Sequence, residues 1–321
     1  MANIDSCPTT TIQITGKDRV KWLQGMVTND VKPTANEIAV ECFVVDVKGK
    51  TLSHGWVFGV NESLNFVSFG NNQYDRLFAH WDRYIIREDV RLGDTSSFWN
   101  WGFKLRSELP ELNLLRPNEG FEGNTSNQVV VSHANETESC RVVITNEIFG
   151  VENVLVGELR SSTDKVEAIK QDGTATNDSR EGFDQQRIQH FLPLVGLDFD
   201  DKNLPQELDR DAKAISFKKG CYLGQETIAR LDALGQVQKK LVRMEIVRTN
   251  ERDQSPSKGM QVYLAEKEIG WVTSVSPHSV NHWIALGYVR RAAFPIGTQL
   301  SADGYSIKIT ALFHRDAQNI P

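Results

Sequence analysis

From about Leu241 onward the chain is a series of short runs rich in β-branched and aromatic residues, separated at regular spacing by Ser, Pro and Gly. Runs of that length, punctuated that often, read as a small β-barrel that closes on itself. Upstream the pattern is mixed. Residues 11 to 15 alternate like a strand, and Asp18 caps a segment to about Val27 whose apolar residues Val20, Leu23 and Val27 fit a short amphipathic helix. Val40 to Asp46 and Leu52 to Val60 flank the Lys48-Gly49 turn, and Leu64 to Phe69 follows Asn61-Glu62, so the three read as an antiparallel meander. Tyr74 to Ile86 then places Leu77, Phe78, Trp81 and Ile85 at helical spacing before a strand begins at Val90-Arg91-Leu92. Antiparallel strands mixed with helices define an α+β fold, with mixed antiparallel sheets ahead of the barrel and a boundary near residue 240.

The middle of the chain carries weaker signals. Gly93 to Gly102 and Pro117 to Asn127 are turn-rich, Val129 to Val131 and Arg141 to Thr145 look like strands, and about Phe149 to Lys170 has helical spacing. A polar loop from Gln171 to Ser179 precedes Phe183 to Phe191. At 321 residues, 40% hydrophobic and 24% charged, the chain has the composition of a soluble globular protein of two or three packed units. Its 36 basic and 42 acidic residues give a net charge of −6, which argues against direct binding of nucleic acid. No apolar run approaches the roughly 20 residues needed to span a bilayer, so no membrane is expected. Met1 to Thr10 lacks a basic-then-apolar pattern and holds Asp5, which makes the cytoplasm the expected compartment.

Cysteines occur at 7, 42, 140 and 221 without a Cys-x-x-Cys pair, so spacing assigns neither a zinc site nor a resident iron–sulfur site. His278 and His282 have the separation of a helical metal pair, but Pro277, Ser279 and Asn281 favour a solvated turn between strands. The most distinctive cysteine lies in Lys218-Lys219-Gly220-Cys221-Tyr222-Leu223-Gly224-Gln225-Glu226. Gln225 to Leu231, which includes Arg230, has helical spacing, so Gly220 and Gly224 form the tight turn into a helix whose first turn holds Glu226. Two lysines and a helix N-terminus would favour the thiolate of Cys221, the form needed for nucleophilic, redox or metal-ligating sulfur. A small buried hydrophobe is the other reading of the same residue.

That nine-residue segment resembles the KGCYxGQE signature of the YgfZ family, folate-binding proteins related to the aminomethyltransferase, or T-protein, of glycine cleavage. The resemblance continues in Ile14-Thr15-Gly16-Lys17-Asp18, in Trp22 to Val31 with its Leu-Gln-Gly and Thr-Asn-Asp-Val pieces, and in Asp46-Val47-Lys48-Gly49-Lys50. It ends in Gly270 to Ser274 and Ile284 to Arg291, which are similar to the closing barrel of the aminomethyltransferases. The resemblance implies a folate-binding region over residues 1–240, in two subdomains, and a barrel over 241–321. Where aminomethyltransferases carry paired aspartates this chain reads Lys50-Thr51-Leu52-Ser53-His54. Without that carboxylate, charge developing on a transferred aminomethyl group lacks its counter-ion, so aminomethyl transfer is disfavoured. What the family implies instead is a folate-dependent role in assembling or repairing iron–sulfur proteins, with tRNA modification affected indirectly. Cys221 is then the functional thiol, supported by Lys219, Gly220, Tyr222, Gly224, Gln225, Glu226 and Arg230. The expected cofactor is tetrahydrofolate or a one-carbon derivative, and the expected partners are iron–sulfur enzymes or assembly proteins. A one-carbon transferase and a non-catalytic regulatory scaffold are the alternatives.

A folate site needs an acceptor for the pterin edge, aromatic walls and cations. In the related families an Arg-Ile-Glu-Ala-Gly segment supplies the pterin contact. Here the matching run is Arg187-Ile188-Gln189-His190-Phe191, so Gln189 stands for the glutamate and Phe191 for the glycine, while Pro193, Gly196 and Asp198 resemble the loop that follows. Phe183 either stacks on the ligand or belongs to the core. Asn29 and Asp30 either contact ligand or cap a turn, and Lys48 either meets the anionic tail or solvates its hairpin.

Overall fold

In a computed structural model of the chain the described residues are 9–36, 38–60, 62–70, 72–105, 128–133, 140–145, 153–159, 177–235, 237–250 and 254–312. They fall into two compact units. One holds Met1–Val45, Leu52–Phe183 and Lys213–Leu223; the other holds Asp46–Thr51, Asp184–Ala212 and Gly224–Pro321.

In the first unit, β1 (Thr9–Thr15), β2 (Val40–Val45), β3 (Thr51–Val60), β4 (Ser63–Phe69) and β5 (Arg91–Asp94) form a sheet in the order β2-β3-β4-β1-β5. Six consecutive residues of β2 and seven of β4 are buried, so both faces of these strands are covered. The helices α1 (Arg19–Gln24) and α2 (Tyr74–Asp82) lay Trp22, Leu23, Leu77 and Trp81 on a core with Ile12, Ile14, Val57 and Phe66. Trp81 meets Trp22 and Phe66 edge to face, at 5.9 and 5.5 Å between ring centres. A second sheet, β6 (Trp99–Leu105), β7 (Gln128–His133), β8 (Cys140–Thr145) and β9 (Asn153–Leu159), runs in the order β6-β9-β8-β7. Trp99 and Trp101 of β6 both pack on Phe58 of β3, and the Trp101 indole donates to Thr11 Oγ1 at 3.2 Å, joining the two sheets.

Several elements differ from the pattern in the sequence. The helical spacing from Phe149 to Lys170 does not give a helix over its described part, because Asn153–Leu159 is a strand held between β6 and β8. Val156 pairs with Gly102 of β6 on one side and Val143 of β8 on the other, and such long-range pairing outweighs a helical period read from one segment. The turn-rich stretch from Gly93 to Gly102 contains the end of β5, a short 3-10 turn at Ser96–Phe98 and the start of β6. Both early helices are shorter at their C-termini than their apolar spacing predicts. A helix at Asn177–Gln189 begins inside the polar stretch read as a loop. Pro117 to Asn127 lies outside the described residues.

In the second unit six strands close into a barrel, in the order β10-β13-β12-β11-β14-β15. These are β10 (Lys239–Arg248), β11 (Gln261–Leu264), β12 (Lys267–Ser279), β13 (His282–Arg290), β14 (Gln299–Ala302) and β15 (Tyr305–Ala311). Val242, Met244, Ile246, Val272, Ala285 and Ile307 fill it. His278 and His282 flank the β12–β13 hairpin turn, as the solvated-turn reading has it, with ring centres 5.0 Å apart.

Candidate functional site

The segment Lys213–Leu223 is laced to the turn after α1. Ser216 donates its N–H to the Thr28 carbonyl at 3.0 Å, and Thr28 returns a hydroxyl to the Ala214 carbonyl at 2.6 Å. Asn29 donates its amide to the carbonyls of Lys213 and Glu41 at 2.7 and 2.8 Å, while its Oδ1 accepts the N–H of Asp30. Asp30 in turn accepts from the Gln24 amide and the Lys32 N–H, both at 3.0 Å. Of the two readings of Asn29 and Asp30, the geometry is that of turn capping.

Lys219 reaches back across the same turn. Its ammonium donates to the carbonyls of Val27 and Asn29 at 2.8 and 2.7 Å and lies 5.2 Å from the centre of the Tyr222 ring. Burial pulls its pKa down to about 8, against the opposing field of Asp30. Tyr222 is 6% exposed, and burial pushes its phenol up to about 12. Leu223 donates its N–H to the Gly25 carbonyl at 3.0 Å. Lys219 and Tyr222 therefore turn inward and fasten the loop, and Gly220 and Cys221 are left exposed. Cys42 is the contrasting thiol: it is buried, and burial drives its pKa far up. A protonated, enclosed thiol of that kind is inert.

The expected source of positive potential at Cys221 is altered. The Lys219 ammonium is committed to backbone carbonyls, and the helix begins only at Gln225 with Gly224 as its N-cap, four residues after the cysteine. The dipole effect is confined to a helix's first turn, so it belongs to Glu226 rather than to Cys221. Glu226 and Arg230 are exposed on this helix and Gln225 is half-buried.

Gly224 has a packing role of its own. Its φ is +76°, and a Cβ there would lie 2.3 Å from the Asp46 carbonyl oxygen and 3.0 Å from Gly49 N. The Asp46-Val47-Lys48-Gly49-Lys50 hairpin that it touches is organised by Asp46, whose Oδ1 accepts the N–H groups of Lys48 and Lys50, both at 2.8 Å. Lys48 itself is exposed.

The end of the Asn177–Gln189 helix forms another constellation, in which the sequence named Gln189 and Phe183 as candidates and showed Arg187 and Asp198 only as parts of the matching segment. Phe183 is 2% exposed, as a core aromatic would be, whereas Gln189 is exposed at the last helical position. Between them Arg187 is buried. It pairs with Asp198 at 2.9 Å and with Asp184, and donates to Ser274 Oγ at 2.8 Å. Asp198 also accepts the hydroxyls of Thr273 and Ser274, both at 2.6 Å, and the N–H of Leu194 at 2.9 Å. A buried ion pair satisfied this fully costs several kcal/mol to break from one side. Arg187 and Asp198 flank the run Ile188 to Val195, and nothing in their spacing marked them as a buried pair. Phe191 is buried and takes φ +58°, the left-handed conformation natural to glycine, at a cost of about 1–2 kcal/mol.

At the place of the missing aspartates, Ser53 and His54 are both buried. Ser53 Oγ bonds to Ser68 Oγ and Gln73 Oε1 at 2.8 and 2.9 Å, and His54 Nε2 lies 2.7 Å from Glu41 Oε1. The local carboxylate thus comes from β2, on a side chain 0% exposed, and is held by an imidazole. Sequence reasoning missed Glu41 because strand pairing, not spacing, brings it to His54.

Residues 239–311 match the family model of the glycine cleavage T-protein C-terminal barrel domain. The chain also shares its fold with the crystal structure of glycine cleavage system aminomethyltransferase T from Bartonella henselae, with a TM-score of 0.67 at 14% identity over 96% of this chain and 84% of that one. The fold class is therefore that of aminomethyltransferase T, mixed sheets and helices followed by a closed barrel. In sequence the chain is 28% identical over 228 residues to the tRNA-modifying protein YgfZ of Yersinia enterocolitica, and 28% over 226 residues to that of Yersinia pseudotuberculosis. Each alignment covers 68% of this chain and 63% of the Yersinia protein, so the chain spans about 63% of the length of these curated relatives. The chain is thus similar in sequence to YgfZ proteins and has the aminomethyltransferase T fold. Among the described residues no helix is long and apolar enough to cross a membrane.

Proposed function

We propose that this protein binds a reduced folate and acts, through Cys221, in the assembly or repair of iron–sulfur proteins, and that its effect on tRNA modification passes through such an enzyme. The observation that carries the reading is the state of Cys221: an exposed thiol on a loop fastened by Lys219, Tyr222 and Leu223 on either side. A scaffold that merely kept the fold would have no use for a presented thiol, and would bury it with Cys42. A one-carbon transferase of the aminomethyl type is disfavoured by the enclosure of Glu41 and His54, which reach no ligand at the surface.

The helix end suits a folate in its chemistry. Gln189 offers an exposed side-chain amide, and Arg243 donates to its main-chain carbonyl. Asn29 caps its turn with both ends of its amide and Asp30 with Oδ1. A bound folate would supply a one-carbon carrier; the residues of the chain hold it and present the thiol.

Cys221→Ser is the test. In cells that depend on this protein, the variant is expected to lose support of iron–sulfur enzyme activity while tetrahydrofolate affinity stays within about twofold. Full support by Cys221→Ser would remove the thiol from the account.

A further inference from the structure

The β12–β13 hairpin of the barrel carries two histidines whose spacing in the chain suits a helix but whose rings meet across a turn. Pro277 pairs with Trp283 and Ser279 with His282, so β12 has one extra residue, His278, against β13. A bulge of this kind re-aims the side chain it inserts. In the turn itself Asn281 takes φ +58°, a conformation natural to asparagine, and Arg248 of β10 donates its N–H to the Asn281 carbonyl at 3.0 Å. The hairpin end is therefore fixed to the barrel, and the ring centres of His278 and His282 stand 5.0 Å apart with the planes at 80°.

Trp283 lies in the barrel core, so His282, its neighbour along β13, faces outward. His278 is exposed and His282 half-buried, yet Nε2 of His282 is enclosed without a hydrogen-bond partner among the described residues. The same holds for the hydroxyl of Ser276, which stands opposite Ile284, two residues from His282 and on the same outer face. Enclosed polar atoms are rarely left unpaired, and an ion is one of the few explanations when they are. Two imidazoles that ligate one ion at about 2.1 Å, with about 90–109° between the bonds, have ring centres about 4.5–5.2 Å apart. The observed 5.0 Å falls in that interval. Edge-to-face packing reaches the same separation but leaves the enclosed nitrogen unexplained.

We propose that His278 and His282 form a two-imidazole site for a divalent transition-metal ion at the turn of the β12–β13 hairpin, with water completing its shell. No group of three or more His, Cys, Asp or Glu side chains that could hold a metal forms among the described residues, so the protein supplies these two ligands alone and the ion exchanges freely. Imidazole nitrogen suits the late first-row ions, among which Cu²⁺ binds such a pair more tightly than Zn²⁺. His282 is held by its strand, and chelation asks only that the exposed His278 ring turn about its own side-chain bonds. The site belongs to the barrel and needs neither folate nor Cys221.

The test uses the full chain carrying Cys221→Ser, which keeps the exposed thiol from competing for the ion. Calorimetry with Zn²⁺ should find one ion per chain, and His278→Ala and His282→Ala should each weaken it tenfold or more. Cu²⁺ should bind the same pair, and its electron paramagnetic resonance spectrum should show two nitrogen donors, reduced to one in either variant. Because His278 is exposed, His278→Ala should keep the thermal midpoint, so its loss of binding reports the ligand and not the fold. If His282→Ala fails to fold, the spectra decide: two nitrogens in the parent and one in His278→Ala uphold the pair. No saturable binding of either ion below millimolar concentration, or binding that survives both substitutions, overturns the proposal and leaves the rings as an edge-to-face pair. A parent spectrum with a single nitrogen donor overturns it as well.

Discussion

Lys219 was read as a neighbour that charges the thiol, and its geometry makes it a clasp for the loop instead. The difference has a measurable consequence. Its folded pKa of about 8 lies below the unfolded value of 10.5, so between the two the unfolded chain binds more protons than the folded one. Stability therefore rises with pH across that window, as a charge costly to bury is given up. Lys219→Met should abolish this rise, checked by the thermal midpoint of both proteins from pH 7.5 to 10.5; parallel curves would contradict it. Residue-level legibility was uneven for a physical reason. Cys221, Gly224 and Gln189 sit in local motifs that a sequence displays, whereas Glu41 meets His54 and Arg187 meets Asp198 only after strands pair and loops close. Phe191 is a related case: a phenylalanine gives no sign of φ +58°, and only its match to a glycine position hinted at it.

Elements with strong period and clear punctuation were readable. The meander around Lys48-Gly49, the start of α2 and the closing barrel fall where the sequence placed them, because each carries its own turn chemistry. Asn153–Leu159 did not, since its strand character depends on β6 and β8 at its flanks. The glycine before the Gln225–Leu234 helix is the element-scale feature most open to test. Gly224→Ala forces a side chain into a left-handed backbone, which alone costs roughly 1–2 kcal/mol, and drives its Cβ against the Asp46 carbonyl. The thermal midpoint should fall by several degrees, and an unchanged midpoint would mean that the hairpin does not pack there.

Across the whole molecule, a net charge of −6 bears on the proposal that any effect on tRNA modification is indirect. Contact with the phosphate backbone rests on clustered cations and is salt-dependent, and even non-specific binders reach a Kd of about 10⁻⁴–10⁻⁶ M at physiological salt. By fluorescence anisotropy this protein should bind tRNA more weakly than that range. Tighter binding would favour direct action over a path through an iron–sulfur enzyme. Every active reading of this protein needs a bound folate, so titration calorimetry of tetrahydrofolate against the wild type and Gln189→Ala is the deciding experiment. The wild type should bind saturably and the variant clearly more weakly. No heat of binding from either protein at millimolar ligand, an affinity below about 4 kcal/mol, would contradict the folate reading.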